Sequence, residues 1–203
     1  MKSLLLIFPI LMLLVPAAAS AQWKVAVEKL KDSVVFVESS TGTCTAFVID
    51  EPKNLVLTAA HCYDELPRML VNGKPVTKVI SRETKKDLLV LQVEGLDRPA
   101  LALAKDDPKT GDEIASNGFG YGLEDPLFKT HHVAFDKIYI NQENIGGPLI
   151  VVDTSYVGGM SGGPLVNHMG EVVGIVQLGT PLVGFGVGAE TIRDKVGRYF
   201  QFK

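Results

Sequence analysis

His61 and Ser161 are the side chains whose types and surroundings could carry out nucleophilic chemistry. His61 stands in the stretch TAAHC, and Ser161 stands in VGGMSGGPLVN. Two glycines precede the Met-Ser pair and two follow it. A serine hydroxyl is a weak nucleophile until a base takes its proton, and the base in turn needs an acid to hold its tautomer. The two stretches together indicate acyl transfer and require a carboxylate as third member.

The glycines around Ser161 could also help to stabilise a negatively charged oxygen. Glycine adopts backbone conformations that other residues avoid, so such a loop can turn tightly and direct amide N–H groups to one point. We expect the amides of Gly159 and Ser161 to form this oxyanion hole. Taken alone, the stretch is equally consistent with an ordinary glycine-rich turn.

Asp87 is the acid that the sequence favours. It directly precedes the apolar run LLVLQV, a strand that would hold it near the core. Asp64 is too close to His61 in the chain to be presented by an independent strand, and Asp97 lies in a turn, where a solvated acid is usual. We therefore predict a catalytic triad of His61, Asp87 and Ser161.

The order of these residues along the chain separates them from other serine hydrolases. The stretch GMSGG satisfies G-x-S-x-G, but the α/β-hydrolase fold needs an acid and then a histidine after its serine. The only histidine beyond Ser161 is His168, with no acid between them. The order His, Asp, Ser matches the chymotrypsin arrangement and excludes the subtilisin order as well.

Short apolar or alternating runs broken by Gly, Pro, Asn and Asp predict an all-β fold. About a dozen strands are too many for one small barrel and suit two packed barrels. We expect the first barrel over about residues 32–104 and the second over about 110–188, with the polar stretch 104–113 as the crossing, a short helix near 25–31 and a C-terminal helix over about 190–200. His131 and His132 come just before one strand and are expected to face solvent. The predicted strands are 34–37, 45–49, 55–58, 76–81, 88–93, 113–116, 133–140, 149–153, 164–167, 172–178 and 183–187.

The first 21 residues have the organisation of a signal peptide. Lys2 precedes an apolar run from Leu4 to Val15, and small residues follow up to Ala21. The run is shorter than the roughly 20 apolar residues that span a bilayer. We expect cleavage before Gln22, export to the periplasm or beyond, a mature domain over residues 22–203 and no stable membrane insertion of that domain.

The net charge and the two cysteines limit which binding partners and cofactors are expected. The net charge of the whole chain is −3, and loss of Lys2 would make it more negative, so nucleic acid is not an expected partner. Two cysteines and a histidine without C-x-x-C spacing make a poor zinc site, and no metal or other cofactor is expected. In an oxidising compartment Cys44 and Cys62 are expected to pair if they can meet.

Five stretches resemble the chymotrypsin-like serine proteases, most closely their bacterial high-temperature-requirement (HtrA or Deg-like) branch. They are GTCTAFVIDEPKNLVLTAAHC, SRETKKDLLVLQV, GFGYG, GGMSGGPLVNHMGEVVGIV and GFGVGAETI, in family order. The resemblance implies two packed six-stranded antiparallel barrels with the active site between them and polypeptides as substrates. It implies that His61 is the general base, Asp87 its orienter and Ser161 the nucleophile. It also implies a disulfide between Cys44 and Cys62, for which loop closure would contribute about 3 kcal/mol.

Three departures from the family pattern change what is expected. Met160 stands where relatives carry an acid or asparagine, so activation by a newly formed N-terminus is not expected. Because the sequence ends at Lys203, regulation or oligomerisation through a PDZ domain, which many Deg-like relatives append, is not expected. At the pocket position where trypsin carries an acid, this chain has Ser155, so small or medium uncharged substrate side chains are expected. The predicted pocket residues are Ser155, Tyr156, Val157, Gln177, Leu178 and Gly179.

A catalytically silent binding or scaffold protein on the same fold is the alternative. It would follow if the loop containing Met160 did not form an oxyanion hole. All three triad members are present, and this completeness favours an exported endopeptidase.

Overall fold

The structure is a computed structural model that describes residues 22–40, 42–66, 68–142 and 145–201. In this part of the chain, two closed antiparallel barrels of six strands each follow one another, as predicted. The expected signal peptide, residues 1–21, lies outside the described residues.

The first barrel is formed by β1 to β6, which neighbour one another in the order β1-β2-β3-β6-β5-β4, and it closes where β1 pairs with β4. Strands β3 and β6 are nearly continuous apolar runs because both of their faces are buried. In β6, Leu89 and Leu91 point into the barrel, whereas Leu88 and Val90 face the core that it shares with the second barrel. The strands are β1 Val34–Ser39, β2 Gly42–Asp50, β3 Leu55–Thr58, β4 Leu70–Val71, β5 Lys74–Glu83 and β6 Leu88–Val93.

The second barrel has the order β11-β14-β13-β12-β7-β8, and a small hairpin of β9 and β10 stands apart from it. Its interior contains Ile114, Ile150, Met160 and Leu165. The strands are β7 Glu113–Gly118, β8 Leu127–Ile138, β9 Asn141–Gln142, β10 Ile145–Gly146, β11 Leu149–Val152, β12 Pro164–Val166, β13 Val172–Gly179 and β14 Gly184–Gly188.

Within the described ranges, two α-helices frame the barrels, α1 over Lys24–Ser33 and α2 over Ala189–Val196. Trp23, just before α1, packs edge-on against Phe128 of β8 with ring centroids 5.7 Å apart. The segment that leads into the first barrel therefore packs against the second barrel. Among the described residues, no helix is both long enough and apolar enough to cross a membrane. Short 3₁₀ turns lie at Ala60–Cys62, Thr84–Lys86, Gly120–Gly122 and Gly197–Tyr199.

The prediction that His131 faces solvent is wrong. Strand β8 begins at Leu127, several residues before the predicted start, because its first half carries polar residues that hide the alternation. Neighbouring strand residues point to opposite faces. His131 is consequently 2% exposed, with Nε2 2.7 Å from the Ser116 hydroxyl, whereas His132 is exposed as expected.

Candidate active site

His61 and Asp87 lie side by side because of the pairing between β3 and β6. These strands are antiparallel with Thr58 opposite Leu89, so the residues after β3 lie beside those before β6. His61 Nδ1 is 2.8 Å from Asp87 Oδ2, and the backbone N–H of His61 donates to Asp87 Oδ1 at 2.8 Å. With its proton on Nδ1, the imidazole presents Nε2 as an acceptor.

Asp87 is held in a conformation that few residues adopt. Its backbone φ is 54°, in the left-handed region, and it follows the turn Thr84–Lys86. Aspartate and asparagine tolerate this region best among residues with a side chain. The residue is 6% exposed, so its carboxylate is shielded from water on the side away from His61.

Ser161 lines the same cavity as His61 and Asp87, a space of about 610 Å³. Its hydroxyl donates a hydrogen bond to the carbonyl oxygen of Gln177 at 3.2 Å and so points toward β13. Catalytic hydrogen bonds are often loose in ligand-free sites and tighten when substrate binds. The Asp–His contact is formed, whereas among the described residues no hydrogen bond joins the Ser161 hydroxyl to the imidazole.

The loop before Ser161 has every carbonyl oxygen anchored from Gly158 to Ser161. The four oxygens accept hydrogen bonds that fix the four peptide planes, and the donors come from both barrels. In chain order, the donors are the Tyr121 N–H at 2.7 Å, the Thr45 hydroxyl at 2.7 Å, the Gly163 N–H at 3.0 Å and the Thr45 N–H at 2.8 Å.

The amides of Gly159 and Ser161 have no acceptor within the described part of the chain. In a trans peptide the N–H points away from the carbonyl of the preceding residue. Anchoring of the carbonyls therefore turns these N–H groups away from the anchors. Gly159 has φ 92°, which a side chain would strain. An oxyanion hole requires two such neighbouring N–H donors that are not already hydrogen-bonded.

Cys44 and Cys62 form a disulfide, with their Cα atoms 6.2 Å apart. It joins the beginning of β2 to the turn that carries His61. Ligand atoms of these two cysteines and His61 lie within 4.8 Å of one another, a spacing that could be mistaken for a metal site. Because both sulfurs are bonded to each other, neither is a thiolate, and the group lacks the donors that zinc needs.

The sequence profile of the trypsin-like peptidase domain matches residues 44–175 of this chain. This range is more than half of the chain and includes His61, Asp87 and Ser161. The chain belongs to the trypsin-like peptidase family.

Named relatives agree with this membership and confirm the Deg-like branch. A protein of Hahella chejuensis named "Probable periplasmic serine endoprotease DegP-like" is 32% identical over 143 residues, which is 68% of this chain and 30% of the relative. This chain therefore matches less than a third of that relative's length. The Rv3671c protease of M. tuberculosis in its active form superposes with a TM-score of 0.76 at 23% identity, covering 93% of this chain and 89% of that one. An inactive form of Rv3671c gives a TM-score of 0.74 at 26% identity, covering 90% and 96%.

Met160 is fully buried in this trypsin-like domain and packs inside the second barrel. Its N–H donates to the Val157 carbonyl at 3.1 Å. A charged residue here would need a partner to offset its burial, whereas methionine needs only apolar contact. The loop is thus held by packing and by hydrogen bonds of its backbone.

Most of the predicted pocket residues line the cavity, but Ser155 does not. Its hydroxyl instead donates to the Tyr156 carbonyl at 3.0 Å. The Tyr156 ring is buried against the backbone of Gly184, and burial raises the pKa of its phenol, which therefore stays neutral. The predicted residues that do line the cavity are Tyr156, Val157, Gln177, Leu178 and Gly179.

Sequence reasoning missed several residues at the site of this trypsin-like domain, including Ala60 and Gly158 of the cavity lining. Arg82 and Thr84 line the cavity, and the Arg82 guanidinium lies 4.0 Å from the centre of the Tyr63 ring. Both residues closely precede Asp87 in the chain, and this proximity was the sequence signal that could have placed them at the site. Thr45 contacts the loop of Ser161 from the other barrel, and only its position next to Cys44 hinted at this.

Proposed function

We propose that this protein is an exported serine endopeptidase that cleaves polypeptides through an acyl-enzyme on Ser161. One observation carries the proposal. A formed Asp87–His61 pair faces the same cavity as a serine whose loop leaves two amide donors unpaired. Membership of the trypsin-like peptidase family supports the same reaction.

In the proposed reaction, His61 acts first as a base and then as an acid. Nε2 takes the proton of the Ser161 hydroxyl as Oγ bonds to the substrate carbonyl carbon. The carbonyl oxygen becomes an oxyanion and accepts hydrogen bonds from the amides of Gly159 and Ser161. The imidazolium, stabilised by Asp87, then gives its proton to the leaving amine as the peptide bond breaks. Water repeats the sequence on the ester and releases Ser161.

A scaffold without activity is the competing proposal, and the two proposals require different conformations of the loop that contains Met160. That function would be favoured by a collapsed loop with an inward-turned carbonyl in place of the oxyanion hole. The Gly158 carbonyl accepts instead from Tyr121 at 2.7 Å, and Met160 is fully buried. These contacts support an open oxyanion hole and hence the peptidase.

A fluorophosphonate probe tests the peptidase proposal directly. The probe bonds covalently to a serine only where a base and an oxyanion hole activate it. We expect wild-type protein to be labelled and Ser161→Ala to show no label above background by mass spectrometry. Ser155→Ala is the matched control, because Ser155 is outside the cavity lining, and it should be labelled like wild type. Folded wild-type protein that resists the probe would support the scaffold.

Export is supported by the signal-like sequence, by the disulfide and by the periplasmic names of the relatives. Disulfides persist in oxidising compartments and are rare in the cytosol of mesophiles. Mass spectrometry of protein from the periplasm or medium should find Gln22 as the first residue. An intact Met1 would contradict the proposed cleavage.

Substrates with a small or medium uncharged side chain before the scissile bond are expected to react fastest. Asp87 is the only carboxylate among the described residues that line the cavity, and it is occupied by His61. An arginine or lysine side chain would therefore lose water without gaining a partner. In a peptide library, alanine or valine should exceed arginine by about 10-fold or more in kcat/KM. A preference for basic residues would refute this assignment.

A further inference from the structure

We propose that Thr45 is a positioning residue that holds the oxyanion loop open from the opposite barrel. The inference rests on the proposed peptidase function and extends it to a residue of β2. Thr45 is fully buried, and its backbone N–H and its hydroxyl both donate to the loop, to the carbonyls of Ser161 and Gly159.

The Thr45 hydroxyl sits at the meeting point of three chain segments. It donates to the Gly159 carbonyl at 2.7 Å and accepts from the Phe119 N–H at 2.9 Å. Gly118 leaves room for it, since a Cβ there would lie 2.9 Å from Thr45 Oγ1. The hydroxyl thus uses its donor and an acceptor site on two buried backbone groups of the second barrel.

Among the four anchors of the carbonyls from Gly158 to Ser161, only the Thr45 hydroxyl belongs to a side chain. It sets the plane of the peptide between Gly159 and Met160, which lies between the two proposed oxyanion donors. Without this hydroxyl, the buried Gly159 carbonyl and the buried Phe119 N–H lose their hydrogen-bond partners, and a change of orientation that gives them new partners becomes favourable. Rotation of this peptide would move the donors away from their common target.

The position of Thr45 also explains how this loop can be set without an N-terminal amine. Met160 offers no charge to such an amine, and it is packed in the core. The contacts of Thr45 and the packing of Met160 take the place of an ion pair between an acid at position 160 and an N-terminal amine. The loop therefore has its working conformation as soon as the two barrels pack together.

Thr45→Val tests this role because valine keeps the shape and removes the hydroxyl. We expect kcat to fall about 10- to 100-fold, less than loss of a whole oxyanion donor, with KM changed by less than about 3-fold. Affinity for a peptide aldehyde, whose adduct places an oxyanion in the hole, should fall in parallel with kcat/KM. Thr45→Ser retains the hydroxyl and should recover activity to within about 3-fold of wild type.

Thr58→Val is the matched control. Thr58 is equally buried, and its hydroxyl donates at 2.7 Å to the Thr45 carbonyl, within the first barrel. The Thr58→Val variant should lose stability as Thr45→Val does, while its kcat stays within about 3-fold of wild type. Equal losses of kcat in the two valine variants, or no recovery in Thr45→Ser, would overturn the role assigned to Thr45.

A readout that needs no activity separates this inference from the proposed function. In ¹H–¹⁵N spectra, Thr45→Val should shift the amide resonances of Gly159 and Ser161, and Thr45→Ser should restore them. If the wild-type protein is inactive and is not labelled by the fluorophosphonate probe, but Thr45→Val shifts these amide resonances, the peptidase proposal is refuted and the role of Thr45 in holding the loop is retained. Unshifted amides in a folded Thr45→Val protein would refute the anchor, whether or not the wild type is active.

Discussion

Asp87→Asn is expected to lower kcat by about four orders of magnitude while leaving the fold intact, the size of effect known for the triad aspartate of chymotrypsin-like proteases. The carboxylate now accepts two hydrogen bonds from His61, one from the backbone and one from Nδ1. An asparagine has one oxygen, and once this accepts from the backbone N–H, the amide NH₂ faces Nδ1. The ring must then carry its proton on Nε2, which can no longer take the proton of Ser161.

Asparagine is the appropriate replacement because Asp87 has φ 54°, a conformation that asparagine adopts readily. Alanine would add backbone strain and confuse loss of chemistry with loss of stability. Asp97→Asn is the control, since Asp97 is also left-handed with φ 48° but exposed and away from the cavity. Steady-state kinetics and thermal unfolding should show normal melting for both variants and a kinetic defect only for Asp87→Asn. Near-normal turnover of that variant would mean that another acid orients His61.

His131 is expected to make the protein sensitive to acid between pH 6.5 and pH 4. Burial is the main cause that lowers its pKa from 6.5 to about 4, the charge of Lys129 lowers it further, and Asp153 opposes both. In the unfolded chain the imidazole binds a proton near pH 6.5, whereas in the folded chain it stays neutral until about pH 4. The unfolded state therefore binds more protons within this window, and the stability falls as the pH falls. The loss is about 3 kcal/mol by pH 4.

Urea unfolding at a series of pH values measures this loss. His131→Gln keeps a polar partner for Ser116 but cannot titrate, so its free energy of unfolding should fall by about 3 kcal/mol less than that of wild type over the window. Carboxylates that titrate in both proteins cancel in this difference. His132→Gln is the control, because His132 is exposed and pairs with Asp153 at 3.3 Å on the surface, where a pair contributes little. Parallel pH curves for wild type and His131→Gln would contradict the prediction.

The barrels were largely predictable because strand formation leaves a local pattern. Runs such as LVLT at β3 and LLVLQV at β6 gave strands whose observed ends agree with the predicted ones. The two-residue strands β4, β9 and β10 were missed, since a period of two cannot be recognised over two residues. The polar start of β8 was missed for a related reason, and the error at His131 followed from it.

The sequence alone determined the chemical repertoire of this protein. It contains one histidine before a cysteine, one serine among glycines, an acid at the start of an apolar strand and a single pair of cysteines. Their order limits the serine-hydrolase arrangements, because each arrangement places its base, acid and nucleophile in a different order along the chain. The cysteine pair could be anticipated as well, and the structure joins it.

Only the tertiary structure decided how these groups contact one another. The bond from Thr45 to the Gly159 carbonyl, the burial of His131 and the present orientation of the Ser161 hydroxyl toward Gln177 all depend on residues that are distant in the chain. Such contacts depend on how two strands are registered and how two barrels pack. Local periodicity reports which face of a strand is buried, but it carries no information about which distant backbone group will lie opposite a given side chain.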